Sequence, residues 1–143
     1  MKYEKKYDNL IVLPVHAAIR AKDEAATLAL VQSGAVDVDA VDQDGRNALL
    51  FAAMCGSSET VVDRLLARTT DVDARDKYGW TALILAARDG QATVCSALIG
   101  AGADVQAQDE DGRTALDNAI TCNHTACIDL LRQHGGQTKA ELS

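Results

Sequence analysis

The sequence predicts an all-α solenoid of about four stacked helix–turn–helix repeats with hairpin turns between them. Three observations carry this. The segments LPVHAAI, NALLFAA, TALILAA and TALDNAI, anchored at Leu13, Asn47, Thr81 and Thr114, recur at spacings of 34, 34 and 33 residues. A second series, AVDVDAVDQDGR (35–46), TDVDARDKYGW (70–80) and ADVQAQDEDGR (103–113), keeps the same phase. Each period holds two apolar helical patterns of only about two to three turns, which are marginal alone and must gain stability by stacking.

Length and composition bound the rest. With 143 residues and 48% apolar content, one domain with its own core is expected. We divide the chain into an N-terminal extension (1–12), a single repeat domain (13–136, repeats 13–41, 42–75, 76–108 and 109–136) and a tail (137–143) that is expected to fray. A net charge of −7 opposes approach to phosphate backbones, so nucleic acid is not an expected partner. The basic start and the apolar run Leu10 to Val15 superficially suggest a signal peptide, but the run is short and contains Pro14. No window of about 18 apolar residues follows. A soluble, unexported, monomeric protein of the cytoplasm, or alternatively the nucleus, is expected, without a membrane partner. Cys55, Cys95, Cys122 and Cys127 sit in apolar helical surroundings and are read as reduced thiols. Asn123-His124-Thr125 fits the N-glycosylation pattern, read as chance in an unexported chain.

The elements can be justified in order. In the first repeat Leu13 stands where the other repeats have a capping side chain, although Pro14 suits a first helical position. Lys22 occupies the place of a loop glycine, and Val36 is one residue extra in the following turn. The second repeat places its extra residue near Gly56-Ser57-Ser58, and Arg68-Thr69-Thr70 lacks the cap glycine found at Gly34 and Gly102. The third, residues 76–108, is the most regular. Thr81 is an N-cap for a helix to Asp89 with a small-and-aliphatic face, Ala82, Leu83, Leu85, Ala86 and Ala87. Gly90 lets the backbone reverse, and Val94, Cys95, Leu98 and Ile99 give the second helix, Ala92 to Ile99, its apolar stripe. Asp76-x-x-Gly79 and Asp109-x-x-Gly112 have the Asp and Gly that tight turns need. In the fourth repeat Asp117 and Asn118 replace apolar residues, as suits a terminal helix pair facing water, and Arg132 to Gly136 supplies basic groups and glycine at a helix end.

The 33-residue period, the threonine-proline-leucine-histidine-like start, the GADV-like middle and the D-x-x-G turn together resemble the ankyrin repeat. The resemblance covers residues 11–136. It implies partner binding on the concave side, by turn tips and first helices. Position by position this surface is Arg20 and Ala21, then Val41, Gln43, Asp44, Arg46, Met54 and Cys55. The third repeat contributes Arg75, Lys77, Tyr78, Trp80, Arg88 and Asp89, and the fourth Gln108, Glu110, Asp111, Arg113, Thr121 and Cys122.

Two of five aromatics, Tyr78 and Trp80, fall at one turn tip; the others are Tyr3, Tyr7 and Phe51. Exposed Trp, Tyr and Arg dominate interface energetics, so Tyr78, Trp80 and Arg88 are the candidate anchors. Alternatively Trp80 folds down over Thr81 as structural cover. As an anchor, Trp80→Ala is expected to leave the melting point nearly unchanged. The third tip is basic (Arg75, Lys77, Arg88) and the fourth acidic (Asp109, Glu110, Asp111), which suits a mixed-charge partner or simply a solvated edge.

Other features favour plain structural readings. Cys122-x-His124-x-x-Cys127 matches no common zinc spacing, and no metal or cofactor is expected. His16 occupies the family's histidine place and is read as a structural histidine without its threonine partner. No phosphate-binding or nucleophile motif occurs, so no enzyme is expected. The function predicted is non-catalytic recognition of another protein. Two alternatives are a small inhibitor resembling the ankyrin-type cyclin-dependent-kinase inhibitors, or a structural spacer of a larger assembly. A metal- or redox-responsive binder using Cys55 and Cys122 is a third.

Overall fold

The computed structural model describes residues 13–143; the N-terminal extension, with Tyr3 and Tyr7, lies outside the described residues. Four inner helices, α1 (Pro14–Arg20), α3 (Ala48–Cys55), α5 (Ala82–Arg88) and α7 (Ala115–Thr121), alternate with four outer ones. These are α2 (Glu24–Ser33), α4 (Glu59–Leu66), α6 (Ala92–Gly100) and α8 (Thr125–Gln133), and a short α9 (Lys139–Leu142) follows. Inner helices pack on inner helices and outer on outer, so the molecule is a two-layer stack with one core running its length.

Capping sets where the inner helices begin. Oxygens of Asn47, Thr81 and Thr114 accept from the backbone N–H of Leu50, Ile84 and Asp117, while Leu13 offers no such bond and relies on Pro14. Residues 48–53 and 82–87 are buried on every side, because each helix lies between two neighbours and the outer layer. Only small residues and close-packing aliphatics fit there. Outer helices need just one apolar stripe; in α6 Val94, Cys95 and Leu98 are buried and Ile99 half-buried.

The inner-to-outer loops share one left-handed residue, namely Lys22 (φ 55°), Gly56 (71°), Gly90 (74°) and Asn123 (64°). At Gly90 glycine is required for a second reason. A Cβ there would meet His124 Nδ1 at 2.5 Å, because His124 reaches under the loop with Nε2 3.0 Å from the Arg88 carbonyl. The equivalent Gln91 donates to the Ala53 carbonyl at 2.7 Å, so neighbouring loops are laced together in the same way.

Between repeats the chain forms hairpin tips. In each, one carboxylate organises the turn, with Asp76 Oδ1 accepting from the backbone of Tyr78 (2.9 Å) and Trp80 (3.0 Å). Asp42 and Asp109 do the same in their own turns. Between successive repeats, Asp39, Asp73 and Gln106 accept from the backbone N–H of Thr70, Asp104 and Gln137. This ladder ties each repeat to the next.

Two expectations are corrected by the fourth repeat. The tail does not fray: Gln137 takes the next rung of the ladder, and Thr138 opens α9 with a capping box formed with Glu141. Arg132 pairs with Glu141 at 2.9 Å, and Lys139 Nζ donates to the Asp111 carbonyl. Asp117 is not simply a residue that water tolerates. Its Oδ2 accepts from the Thr114 backbone (2.9 Å) and from the Lys139 backbone (2.7 Å), joining α7 to α9.

Candidate functional site

The third hairpin tip, the end of α5 and the preceding tip bring some of the predicted binding residues together. At its centre Tyr78 and Trp80 lie on alternate positions of the third tip, with ring centroids 5.3 Å apart. Cations cover both rings. Arg88 Cζ is 4.8 Å from the Trp80 centroid, while Lys77 Nζ and Arg46 Cζ lie 5.1 and 5.8 Å from that of Tyr78. The five residues thus form one cluster built from two repeats and two kinds of element.

Carboxylates hold the cations in place. Arg46 Nε donates to Asp76 at 3.1 Å, where the Asp76 side chain is fully buried, and its Nη1 lies 3.5 Å from Asp44. Lys77 Nζ is 2.6 Å from Asp44. Their hydrogen bond holds the Asp44 carboxyl below the usual carboxylate value and the Lys77 ammonium above its own. Both groups face solvent, so the pair orders the tip more than it stabilises the fold. Arg88 Nε lies 3.5 Å from Asp89.

The structure separates the candidate anchors. Tyr78 is 43% exposed and available to a partner, but Trp80 is half-buried and packed against the core. This packing favours the alternative of Trp80 as cover and argues against the expectation of an unchanged melting point for Trp80→Ala. Arg75 donates to the carbonyls of Gly79 and Gln108, which spends its guanidinium on joining two tips. Met54 is half-buried along the inner face, and Glu110 and Asp111 are exposed at the fourth tip. Arg113 lies back along α7, donating to the Asp117 carbonyl and the Thr121 hydroxyl, away from the Tyr78 cluster.

Two features of this face were missed in the sequence. Phe51 lies beneath Arg20 (5.3 Å to Cζ) and beside His16 (5.0 Å between rings), extending the cation–aromatic pattern into the first repeats. An aromatic where the other repeats have Ala17, Leu85 and Asn118 was the signal. His16 Nε2 lies 2.7 Å from the Arg46 carbonyl, which replaces the threonine partner that Leu13 cannot provide. Ile120, equivalent to the buried Ala87, is 44% exposed because no repeat covers α7 from beyond.

Cys122 is exposed whereas Cys127 is fully buried beside Cys95, so the two do not converge with His124. Among the described residues no group of three or more His, Cys, Asp and Glu could hold a metal. All four cysteines are free thiols. Burial pushes the Cys95 and Cys127 thiols up, keeping them protonated and unreactive. No described helix is long and apolar enough to cross a membrane.

Comparison with known proteins agrees with this architecture. The family model for ankyrin repeats in three copies matches residues 15–109 and 61–141. The E3 ubiquitin-protein ligase KEG of Arabidopsis thaliana is 30% identical over 131 residues, 90% of this chain and 8% of that protein. Neurogenic locus notch homolog protein 2 of Homo sapiens is 37% identical over 124 residues, 86% of this chain and 5% of that protein. SH3 and multiple ankyrin repeat domains protein 2 of Homo sapiens is 31% identical over 122 residues, 85% of this chain and 6% of that protein. The chain therefore spans less than a tenth of these relatives. Ankyrin repeats are in general non-catalytic protein–protein interaction modules, and with its period, its stacked helix pairs and its Asp-organised tips this chain belongs to the ankyrin-repeat family.

Proposed function

We propose that this chain is a non-catalytic recognition module, acting as a monomer in the cytoplasm, that binds a partner protein through its concave turn-and-inner-helix surface. The observation that carries the proposal is the Arg46–Lys77–Tyr78–Trp80–Arg88 cluster. Its side chains are fixed by ion pairs, stacking and buried turns before any partner arrives, so little side-chain entropy is lost on docking. Tyr78 and Arg88 are the anchors, and Trp80 is the platform that presents them.

Capture from lysate followed by mass spectrometry tests this. Tyr78→Ala removes a ring that is 43% exposed and otherwise packs on Trp80, Lys77 and Arg46 outside the core, and is expected to nearly retain the wild-type melt while reducing capture of the partner about tenfold. Arg88→Ala is expected to act in the same direction. Capture unaffected by both substitutions would overturn the concave-face reading.

A further inference from the structure

The position at the end of each inner helix recurs as Arg20, Met54, Arg88 and Thr121. Arg20 and Arg88 each sit over an aromatic ring, Phe51 at 5.3 Å and Trp80 at 4.8 Å. A ring beneath a guanidinium fixes it and shields one face from water without neutralising its charge, so its N–H edge can still meet a carboxylate; on Arg88, Asp89 already lies 3.5 Å from Nε. Met54 lies between them as a half-buried apolar saddle.

Charge on this face runs against the charge of the chain. The inner side of the first three repeats carries Arg20, Lys22, Arg46, Arg75, Lys77 and Arg88 against Asp42, Asp44, Asp76 and Asp89, in a chain of net charge −7. Asp42 and Asp76 organise turn backbone, while Asp44 and Asp76 pair with Lys77 and Arg46 and so use those cations too; Arg75 is spent on the Gly79 and Gln108 carbonyls, which leaves Arg20, Lys22 and Arg88 as the charges this face can offer a partner. Asp89 pairs with Arg88 at 3.5 Å, and Asp23, next to Lys22, caps α2. The Cys55 thiol, beside Met54, registers the field of Arg20, Lys22 and Arg46, although burial outweighs it.

We infer that the inner face of the first three repeats takes an extended acidic segment of a partner protein, with carboxylates on Arg20 and Arg88 and an apolar side chain between them on Met54. This rests on the concave-face reading and adds the partner's chemistry. Packed helices lie about 8–10 Å apart, so Arg20 and Arg88, two helices apart, are separated by roughly 16–20 Å. At about 3.3 Å per residue an extended strand covers this in about five or six residues. Glu110 and Asp111 at the fourth tip repel further acidic residues and so limit the acidic stretch to the first three repeats.

The test uses a labelled peptide with pairs of Glu about five residues apart flanking a Leu, and a counterpart with Lys for each Glu. Anisotropy and the emission of Trp80, the single tryptophan, report binding to the full chain. The Glu peptide is expected to bind about tenfold tighter than the Lys peptide at low salt, with the preference lost at about 0.5 M salt. Arg20→Gln and Arg88→Gln are each expected to weaken it about three- to tenfold with unchanged circular dichroism. A Lys peptide that binds as well, or Glu-peptide binding indifferent to both substitutions, overturns the inference. If the Lys peptide binds and Tyr78→Ala weakens it, the acidic segment is wrong while the concave face stands. If both peptides bind and neither Tyr78→Ala nor Arg88→Gln alters them, both readings fall.

Discussion

At the scale of the residue, the clearest energetic contrast is between two glycines in equivalent loops. Gly56 and Gly90 share φ near 70°, but a Cβ on Gly56 meets nothing within 4 Å, whereas one on Gly90 strikes the His124 ring. Gly56→Ala should therefore cost only the left-handed backbone penalty, about 1 kcal/mol. Gly90→Val adds β-branching at positive φ, a clash and the loss of the His124 bond to the Arg88 carbonyl, and should cost roughly 3–4 kcal/mol. Urea denaturation of the pair measures the difference, and equal losses would mean the His124 lacing contributes nothing. Trp80→Ala strips a half-buried ring from the core edge and from beneath Arg88. It should lower stability by about 1–2 kcal/mol, unlike Tyr78→Ala, which should be near neutral in the same melts.

At the scale of the element, the hairpin tip stands or falls with its buried aspartate. Asp76 accepts from two backbone N–H groups and from Arg46, so Asp76→Ala leaves three donors without their partner. A loss of roughly 2–4 kcal/mol is expected in urea denaturation, with Asp76→Asn losing less because it keeps an acceptor. The tail element responds to pH. Hydrogen bonds from Arg132 and then from Thr138 depress the Glu141 carboxyl from 4.5 to about 2. A depressed carboxylate contributes stability above its unfolded value and loses it as pH falls through the folded one. Amide protection of α9 should therefore be complete above about pH 4.5 and fade toward pH 2. Glu141→Gln should flatten that profile in hydrogen exchange, and a profile unchanged by the substitution would detach Glu141 from α9 docking.

At the scale of the whole molecule, what the sequence made legible was what repeats. Thr81, Gly90 and the Asp76-x-x-Gly79 turn announce themselves because local chain geometry dictates them and the period copies them. The binding face was legible only as positions, because its contacts cross repeats: Arg20 reaches Phe51 and Arg46 reaches Tyr78, over about one period each. The docked tail was hidden for a related reason, since its first rung, Gln106 to Gln137, is recognisable only beside Asp39–Thr70 and Asp73–Asp104, which need the stack to exist. The same dependence predicts how the molecule folds. In the third repeat Leu83, Ile84 and Leu85 are buried, with α3 on one side and α7 on the other. Its helices have 7 and 9 residues, below the roughly 12–15 needed for helicity in isolation. A peptide of residues 76–108 should therefore show coil-like circular dichroism without a cooperative melt, whereas residues 42–143, which keep both neighbours, should melt cooperatively. A cooperative helical melt of the single repeat would show that the tip and its own helix pair suffice, and that stacking arranges the repeats without being what folds them.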